Sequence, residues 1–122
     1  IILSAPTYMT TLLTFRNYGL NLLGVLQDGE GLVADQLETR LRTLRDNGEP
    51  LPKLLFDISE FHNPTGITMS LERRKRLIEN TLEYKFVIVE DDPYRSLRFE
   101  GEPIPPIKSL DAQGIVIAVG TV

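Results

Sequence analysis

The sequence contains no cysteine and no tryptophan, and it has a single histidine among 122 residues. Without cysteine, neither disulfides nor thiolate chemistry is available within this stretch. Acids and bases are interspersed and give a net charge of -4, so no basic surface for nucleic acid or an anionic membrane is expected. No apolar run approaches the roughly 18 to 20 residues of a membrane span. No side chains have metal-ligand spacing. The sequence therefore favours a globular domain over a membrane or nucleic-acid-binding segment.

Strand-like and helix-like segments alternate along the chain. Apolar and amphipathic patterns predict strands at 1–3, 20–26, 53–58, 86–89 and 115–120, and helices near 8–18, 33–46 and 70–84. Residues 27–31 are expected to form a turn, and the proline-rich segment 95–107 a long irregular connection. The alternation predicts an α/β fold with a largely parallel sheet, although strand order does not follow from it.

The basic residues concentrate on the predicted helices. The helix over 70–84 has Ser70 as its expected N-cap and an apolar face that includes Leu71, Ile78 and Leu82. The basic run at 73–76 is expected largely on the opposite face, in solvent. Arginines of the helix over 33–46 are interpreted in the same way.

Polar side chains follow two of the predicted strands. Glu90-Asp91-Asp92 comes directly after the strand 86–89, and the loop Asn63-Pro64-Thr65-Gly66 follows the strand 53–58. In open α/β sheets the ligand crevice lies beyond the carboxyl ends of the strands, so both segments should face one crevice. Adjacent residues on an extended segment point opposite ways, so only one of Asp91 and Asp92 can face a ligand there.

These motifs resemble those of a known family. Asn-Pro-Thr-Gly at 63–66, with an Asp-x-x-Tyr pattern at 91–94 after a buried strand, is similar to the fold-type I pyridoxal-phosphate enzymes, specifically the class I/II aminotransferases. The residues that flank both motifs are similar to those of the branch that holds aromatic and 2-aminoadipate aminotransferases. The resemblance covers nearly the whole chain. It implies a three-layer α/β/α large domain, pyridoxal 5'-phosphate as cofactor, and transfer of an amino group from an amino acid to a 2-oxo acid.

The resemblance also implies roles for individual residues. Asp91, which lies three residues before Tyr94, would hold the protonated ring nitrogen of the cofactor, because a carboxylate stabilises a pyridinium cation. Tyr94 and Asn63 would donate hydrogen bonds to the phenolic oxygen of the cofactor. Taken alone, Asn63-Pro64 would be an ordinary turn. The combination with the Asp-x-x-Tyr pattern is what makes the prediction specific.

Further contacts are implied at the two ends of the chain. Tyr8 would stack on the cofactor ring, whereas its position alone favours a helix-start tyrosine that packs on the sheet. Thr121 would contact the phosphate. Relatives commonly carry an acid where Ser4 stands. His62 could tune the ring, contact substrate, or pack as an ordinary loop histidine.

Members of this family are several times longer, so residues 1–122 are expected to be a partial cofactor-binding large domain that is inactive alone. The lysine that forms a Schiff base with the cofactor would lie just past Val122. The four lysines present do not match its position: Lys53, Lys75, Lys85 and Lys108. The main carboxylate-binding arginine would also lie elsewhere, which leaves Arg95 and Arg98 as structural or interfacial residues. Relatives are typically dimers, so a homodimer and a cytoplasmic location are expected.

Three other functions remain open. The same cofactor serves lyases and decarboxylases, because the bond that breaks depends on substrate orientation. The aminotransferase-like domain of a transcription regulator fused to a helix-turn-helix segment is another alternative, and would bring nucleic acid in as a partner. A non-enzymatic α/β binding domain is the least favoured.

Overall fold

In the computed structural model, which describes residues 1–121, six strands form one sheet in the order β3-β2-β1-β4-β5-β6. The elements in chain order are β1 Ile2–Ala5, α1 Met9–Asn17, β2 Leu23–Asp28, β3 Gly31–Leu32, α2 Ala34–Asp46, β4 Leu54–Asp57, α3 Leu71–Tyr84, β5 Val87–Asp92 and β6 Val116–Gly120. Two short 3₁₀ turns, Arg95–Leu97 and Ile107–Leu110, lie between β5 and β6. No helix within residues 1–121 has the length and apolarity needed to cross a membrane.

Helices cover both faces of the sheet, which confirms the predicted three-layer α/β/α architecture. On one face the core joins α2 and α3 to the central strands through fully buried residues such as Leu37, Leu77 and Leu55. On the other face α1 packs against β4, and the Phe15 and Phe56 rings meet edge-on with centroids 5.8 Å apart. Burial of these apolar side chains is the main favourable contribution to the fold.

Five strands run parallel, so their carboxyl ends meet at one edge of the sheet. From β1 the chain goes to β2 on one side, and it later returns to β4 on the other side of β1. This reversal of direction beside β1 opens a crevice at the carboxyl ends of β1 and β4. The loop after β4 and the end of β5 lie at this same edge of the sheet, where the sequence predicted the crevice.

Several predicted boundaries are wrong, and pairing between strands explains the differences. β2 begins at Leu23, which pairs with Ile2, and not at Leu20. The segment predicted as a turn at 27–31 is a tight hairpin, in which β3 pairs antiparallel with the end of β2. β5 does not stop before the acids but continues through Asp92, because Asp92 pairs with Gly120 of β6. The segment 95–107 was expected to be irregular, yet it contains a 3₁₀ turn at Arg95–Leu97.

Helix α3 confirms one prediction and overturns another. Ser70 is the N-cap, and its hydroxyl accepts a hydrogen bond from the Arg73 backbone N–H at 3.2 Å. The basic run, however, is not wholly in solvent, because Arg74 is fully buried. Its guanidinium donates to the backbone oxygens of Ser59, Met69 and Pro105 and to the Glu60 carboxylate. Arg74 therefore fixes α3 to the loops at the carboxyl edge of the sheet.

Candidate functional site

The loop after β4 closes on itself and presents Asn63. The His62 N–H donates to the Ile67 carbonyl at 2.8 Å, and the Gly66 N–H donates back to the His62 carbonyl. Gly66 has φ +72°, a conformation that glycine adopts without steric cost. Inside this turn the Asn63 Nδ2 lies 3.5 Å from the Tyr94 hydroxyl. The structure thus brings together two side chains that are 31 residues apart in sequence.

Tyr94 lies between β5 and the 3₁₀ turn Arg95–Leu97, directly before the first residue of that turn. The Leu97 N–H donates to the Tyr94 carbonyl at 2.9 Å. Beside the Asn63–Tyr94 pair lies an open groove of about 700 Å³. Phe61, Leu97 and Phe99 contribute its apolar wall. A groove of this size, mostly apolar and with a few converging polar groups, is typical of a small-molecule site.

The two candidate acids on β5 point to opposite faces of the sheet, as expected for neighbours on a strand. Asp92 is engaged locally, because its carboxylate forms an ion pair with Arg95. Asp91 is on the face that α1 covers, and no residue within 1–121 hydrogen-bonds its side chain. Partial burial, and secondarily the charge of Asp92, raise the pKa of Asp91. Of the two, Asp91 is the carboxyl available to a ligand cation.

The other two predicted residues lie at the same edge of the sheet but are not drawn into this contact. Tyr8 precedes the first residue of α1, on the face of the sheet that also carries Asp91, and its side chain is 39% exposed. Thr121 directly follows β6 and is exposed. Neither side chain hydrogen-bonds a residue in the part of the chain that the structure describes.

Sequence reasoning missed a buried polar cluster behind the Asn63 turn, formed by Ser4, Asp57 and His62. The Ser4 hydroxyl donates to Asp57 Oδ1, and His62 Nε2 lies 3.6 Å from the same oxygen. All three residues are at least 98% buried. Burial raises the pKa of Asp57 to about 7 and lowers that of His62. Asp57, an acid in an otherwise apolar strand, was the available signal in the sequence.

Sequence reasoning also missed the importance of Glu60. Its buried carboxylate lies within 3.3 Å of the guanidinium groups of Arg74, Arg95 and Arg98. Arg98 also stacks over the Phe61 ring at 4.9 Å. Arg95 and Arg98 thus hold the wall of the groove, in agreement with the structural role expected for them.

Comparisons with known proteins identify relatives of the whole fold. No protein-family model matches the sequence. The chain is 44% identical over 121 residues to aromatic-amino-acid aminotransferase 1 of Thermococcus litoralis, covering 99% of this chain and 29% of that protein. It is 34% identical over 120 residues, or 98% of this chain and 24% of the relative, to the uncharacterized HTH-type transcriptional regulator YisV of Bacillus subtilis.

Among solved structures, a kynurenine aminotransferase of Pyrococcus horikoshii in complex with PMP superposes with a TM-score of 0.94 at 41% identity. The match covers 98% of this chain and 30% of that structure. The chain therefore spans roughly a quarter to a third of the length of these relatives.

Proposed function

We propose that this chain is the central part of the cofactor-binding domain of an enzyme that transfers an amino group from an amino acid to a 2-oxo acid. The chain belongs to the pyridoxal-phosphate-dependent aminotransferases of fold type I. The observation that carries the proposal is the 3.5 Å approach of Asn63 to Tyr94, at the strand edge that also presents Asp91. A hydroxyl, an amide and a carboxylate at one crevice match the donor and acceptor set that a pyridine-phenol cofactor needs.

The residues present fit pyridoxal phosphate. The Tyr94 O–H and the Asn63 Nδ2–H are close enough to donate to one shared oxygen atom. Asp91 has no competing hydrogen bond from the described residues, whereas Asp92 is held by Arg95. Asn63 and Tyr94 also line the groove of about 700 Å³, so a ligand held by this pair would border it. When bound, the cofactor supplies an electron sink that stabilises negative charge at the α-carbon of the amino acid.

Each residue then has a defined task. The Asp91 carboxylate keeps a proton on the ring nitrogen, because opposite charges at hydrogen-bond distance stabilise one another where water is partly excluded. Burial raises the pKa of the Asp91 carboxyl, and in contact with a cationic ring Asp91 would be held in its ionised form. Tyr94 and Asn63 donate to the phenolic oxygen and hold its negative charge. Tyr8 provides an aromatic face for the ring, and the Thr121 hydroxyl donates to the phosphate.

We propose that further parts of the site lie elsewhere in the full-length protein. We propose that the cofactor-binding lysine follows residue 122 within a short distance in the full-length protein, because none of the four lysines here stands at the site edge after β6. We further propose that the full-length protein is a homodimer.

A second candidate is the effector domain of a helix-turn-helix regulator, favoured by the 34% identity to YisV over nearly the same residues. The enzyme and the regulator would use the same cofactor contacts. They differ in turnover: an enzyme converts amino acid to 2-oxo acid repeatedly, whereas a regulator gains or loses affinity for DNA.

The test uses the full-length protein loaded with pyridoxal phosphate and reduced with borohydride, followed by peptide mapping and by assay of amino transfer from a panel of amino acids. We expect the label on a lysine downstream of residue 122 and multiple turnovers with at least one amino acid. A label on Lys53, Lys75, Lys85 or Lys108 would overturn the site. A correctly placed label with no turnover, together with cofactor-dependent DNA binding, would favour the regulator.

A further inference from the structure

The buried cluster behind the Asn63 turn is part of a row of polar side chains. From Ser4 it runs through Asp57 Oδ1 to His62 Nε2, and from His62 Nδ1 it continues to the Thr65 hydroxyl at 3.1 Å. The Thr65 hydroxyl in turn donates to Gln27 Oε1 at 3.1 Å. These polar side chains thus connect the interior of the sheet to the loop that carries Asn63.

The hydrogen bonds of Thr65 favour one of the two neutral tautomers of His62. A hydroxyl has one hydrogen to donate, and here it goes to Gln27 Oε1. The same oxygen accepts from the Ile67 N–H at 3.4 Å, and it must accept again from His62. This pattern favours the tautomer with the hydrogen on Nδ1 of His62, in which the lone pair of Nε2 is directed at Asp57.

Asp57 Oδ1 and His62 Nε2 are then two acceptors 3.6 Å apart, both buried. Neither Asp57 Oδ2 nor His62 Nε2 has a hydrogen-bond partner among the described residues. Two acceptors that face each other in a desolvated space repel one another, and a single added proton removes the repulsion. We propose that the Asp57 carboxyl and the His62 imidazole share one proton, and that this pair positions the Asn63 amide against Tyr94.

The groups around the pair favour this state. On β1 the neighbour is Ser4, which is neutral, and on β5 it is Glu90, which lies opposite Asp57 in the strand register. The Glu90 carboxylate is engaged elsewhere, because it accepts from the Ser59 hydroxyl and from two backbone N–H groups. The buried cation on α3, Arg74, forms its ion pair with Glu60.

The charge balance gives the direction of the pH response. Burial is the main cause that raises the pKa of Asp57 to about 7, and burial lowers the pKa of His62, so below neutrality the proton rests on the carboxyl beside a neutral imidazole. Above neutrality the carboxylate faces both a lone pair and Glu90. His62 is the first residue of the turn that holds Asn63. We therefore expect a displacement of its ring to shift Asn63 relative to Tyr94.

The shared proton does not depend on the proposed function, whereas the role of Asn63 as a positioned cofactor donor rests on the proposed function. Two measurements therefore test the shared proton and the positioning role separately. The first is NMR of full-length apoprotein with isotope-labelled histidine, with the His62 signal assigned by its loss in His62→Gln. We expect the Nδ1–H tautomer and a titration near pH 7 that disappears in Asp57→Asn. In Ser4→Ala the midpoint should rise by roughly 0.5 to 1 unit, because Asp57 loses a hydrogen bond that favours its ionised form.

The second measurement is the affinity of the same apoprotein for pyridoxamine phosphate at pH 6 and pH 8.5, which avoids the covalent link to lysine. The loss of affinity between the two pH values should be on the order of threefold to tenfold greater in wild type than in Asp57→Asn, as for one weakened hydrogen bond. An Nε2–H tautomer, or a His62 titration that persists in Asp57→Asn, would overturn the shared proton. Equal pH responses in the two proteins would overturn the positioning role. No binding at any pH would instead overturn the proposed function, with the shared proton still decided by NMR.

Discussion

Arg74 and Glu60 form an ion pair 3.1 Å long in which neither side chain reaches solvent. Arg95 and Arg98 approach the same carboxylate from the segment after β5. One buried acid therefore ties together α3, the loop after β4 and the wall of the groove. Taking such charges out of water is costly, so the network holds only while its charges remain compensated.

We expect Glu60→Gln to lower the free energy of unfolding of the full-length protein by about 3 to 5 kcal/mol, because it leaves the buried Arg74 guanidinium without its counter-charge. The matched control is Glu79→Gln, which removes the exposed partner of Arg76 and should cost about 1 kcal/mol or less. Urea unfolding of the two variants measures both values. Similar losses would show that the buried cluster is not a special source of stability.

Asp57 should make stability depend on pH in a defined direction. Its pKa is about 7 in the folded protein against an ordinary value of 3.8, so between these values the folded state binds the extra proton. The contribution of Asp57 to stability is complete below pH 3.8 and is lost as the pH rises through 7, by about 4 kcal/mol in all. His62, with a lowered pKa, acts in the opposite sense below about pH 6.5.

Urea unfolding of wild type and of Asp57→Asn at pH 5 and pH 8 separates the effect of Asp57 on stability from that of His62. Because asparagine does not titrate, the variant should gain stability relative to wild type as the pH rises. A difference between the two proteins that stays constant with pH would contradict the raised pKa of Asp57.

How much of this site follows from the sequence depends on the kind of interaction. The Ser70 cap, the alternation of strands and helices, and the polar residues at strand ends follow from local patterns, and the structure reproduces them. The choice of Asp91 over Asp92 came from the family spacing. The ion pair of Asp92 with Arg95 adds an independent physical reason for that choice.

Burial of polar groups could not be predicted in the same way. Arg74 lies within a run of four basic residues and was expected in solvent, yet loop carbonyls that are distant in sequence surround it. Asp57 looks like part of an ordinary strand, and its environment arises only when β1 places Ser4 beside it. Local periodicity describes which face a residue occupies, but not which distant groups fill the space over that face.

Tyr94→Phe should alter the cofactor without altering the fold. Loss of one hydrogen bond to the phenolic oxygen leaves its negative charge less stabilised, so the pH midpoint of the visible absorption change of the loaded full-length protein should rise by about 1 to 2 units. The control is Tyr18→Phe, since Tyr18 is 78% exposed beyond the end of α1. An absorption titration that is the same in both variants and wild type would place Tyr94 outside the site.

The cofactor role of this chain is tested most directly by the rate of amino transfer in full-length Asp91→Asn and Asp92→Asn, with circular dichroism to verify that both fold. Asp91→Asn should lower the rate on the order of 10²-fold or more, because an amide cannot stabilise a cationic ring nitrogen. Asp92→Asn should lower it by no more than about fivefold, the amount that a partly exposed ion pair contributes. A larger loss in Asp92→Asn than in Asp91→Asn would contradict the assignment of the ring carboxylate and the account of the site built on it.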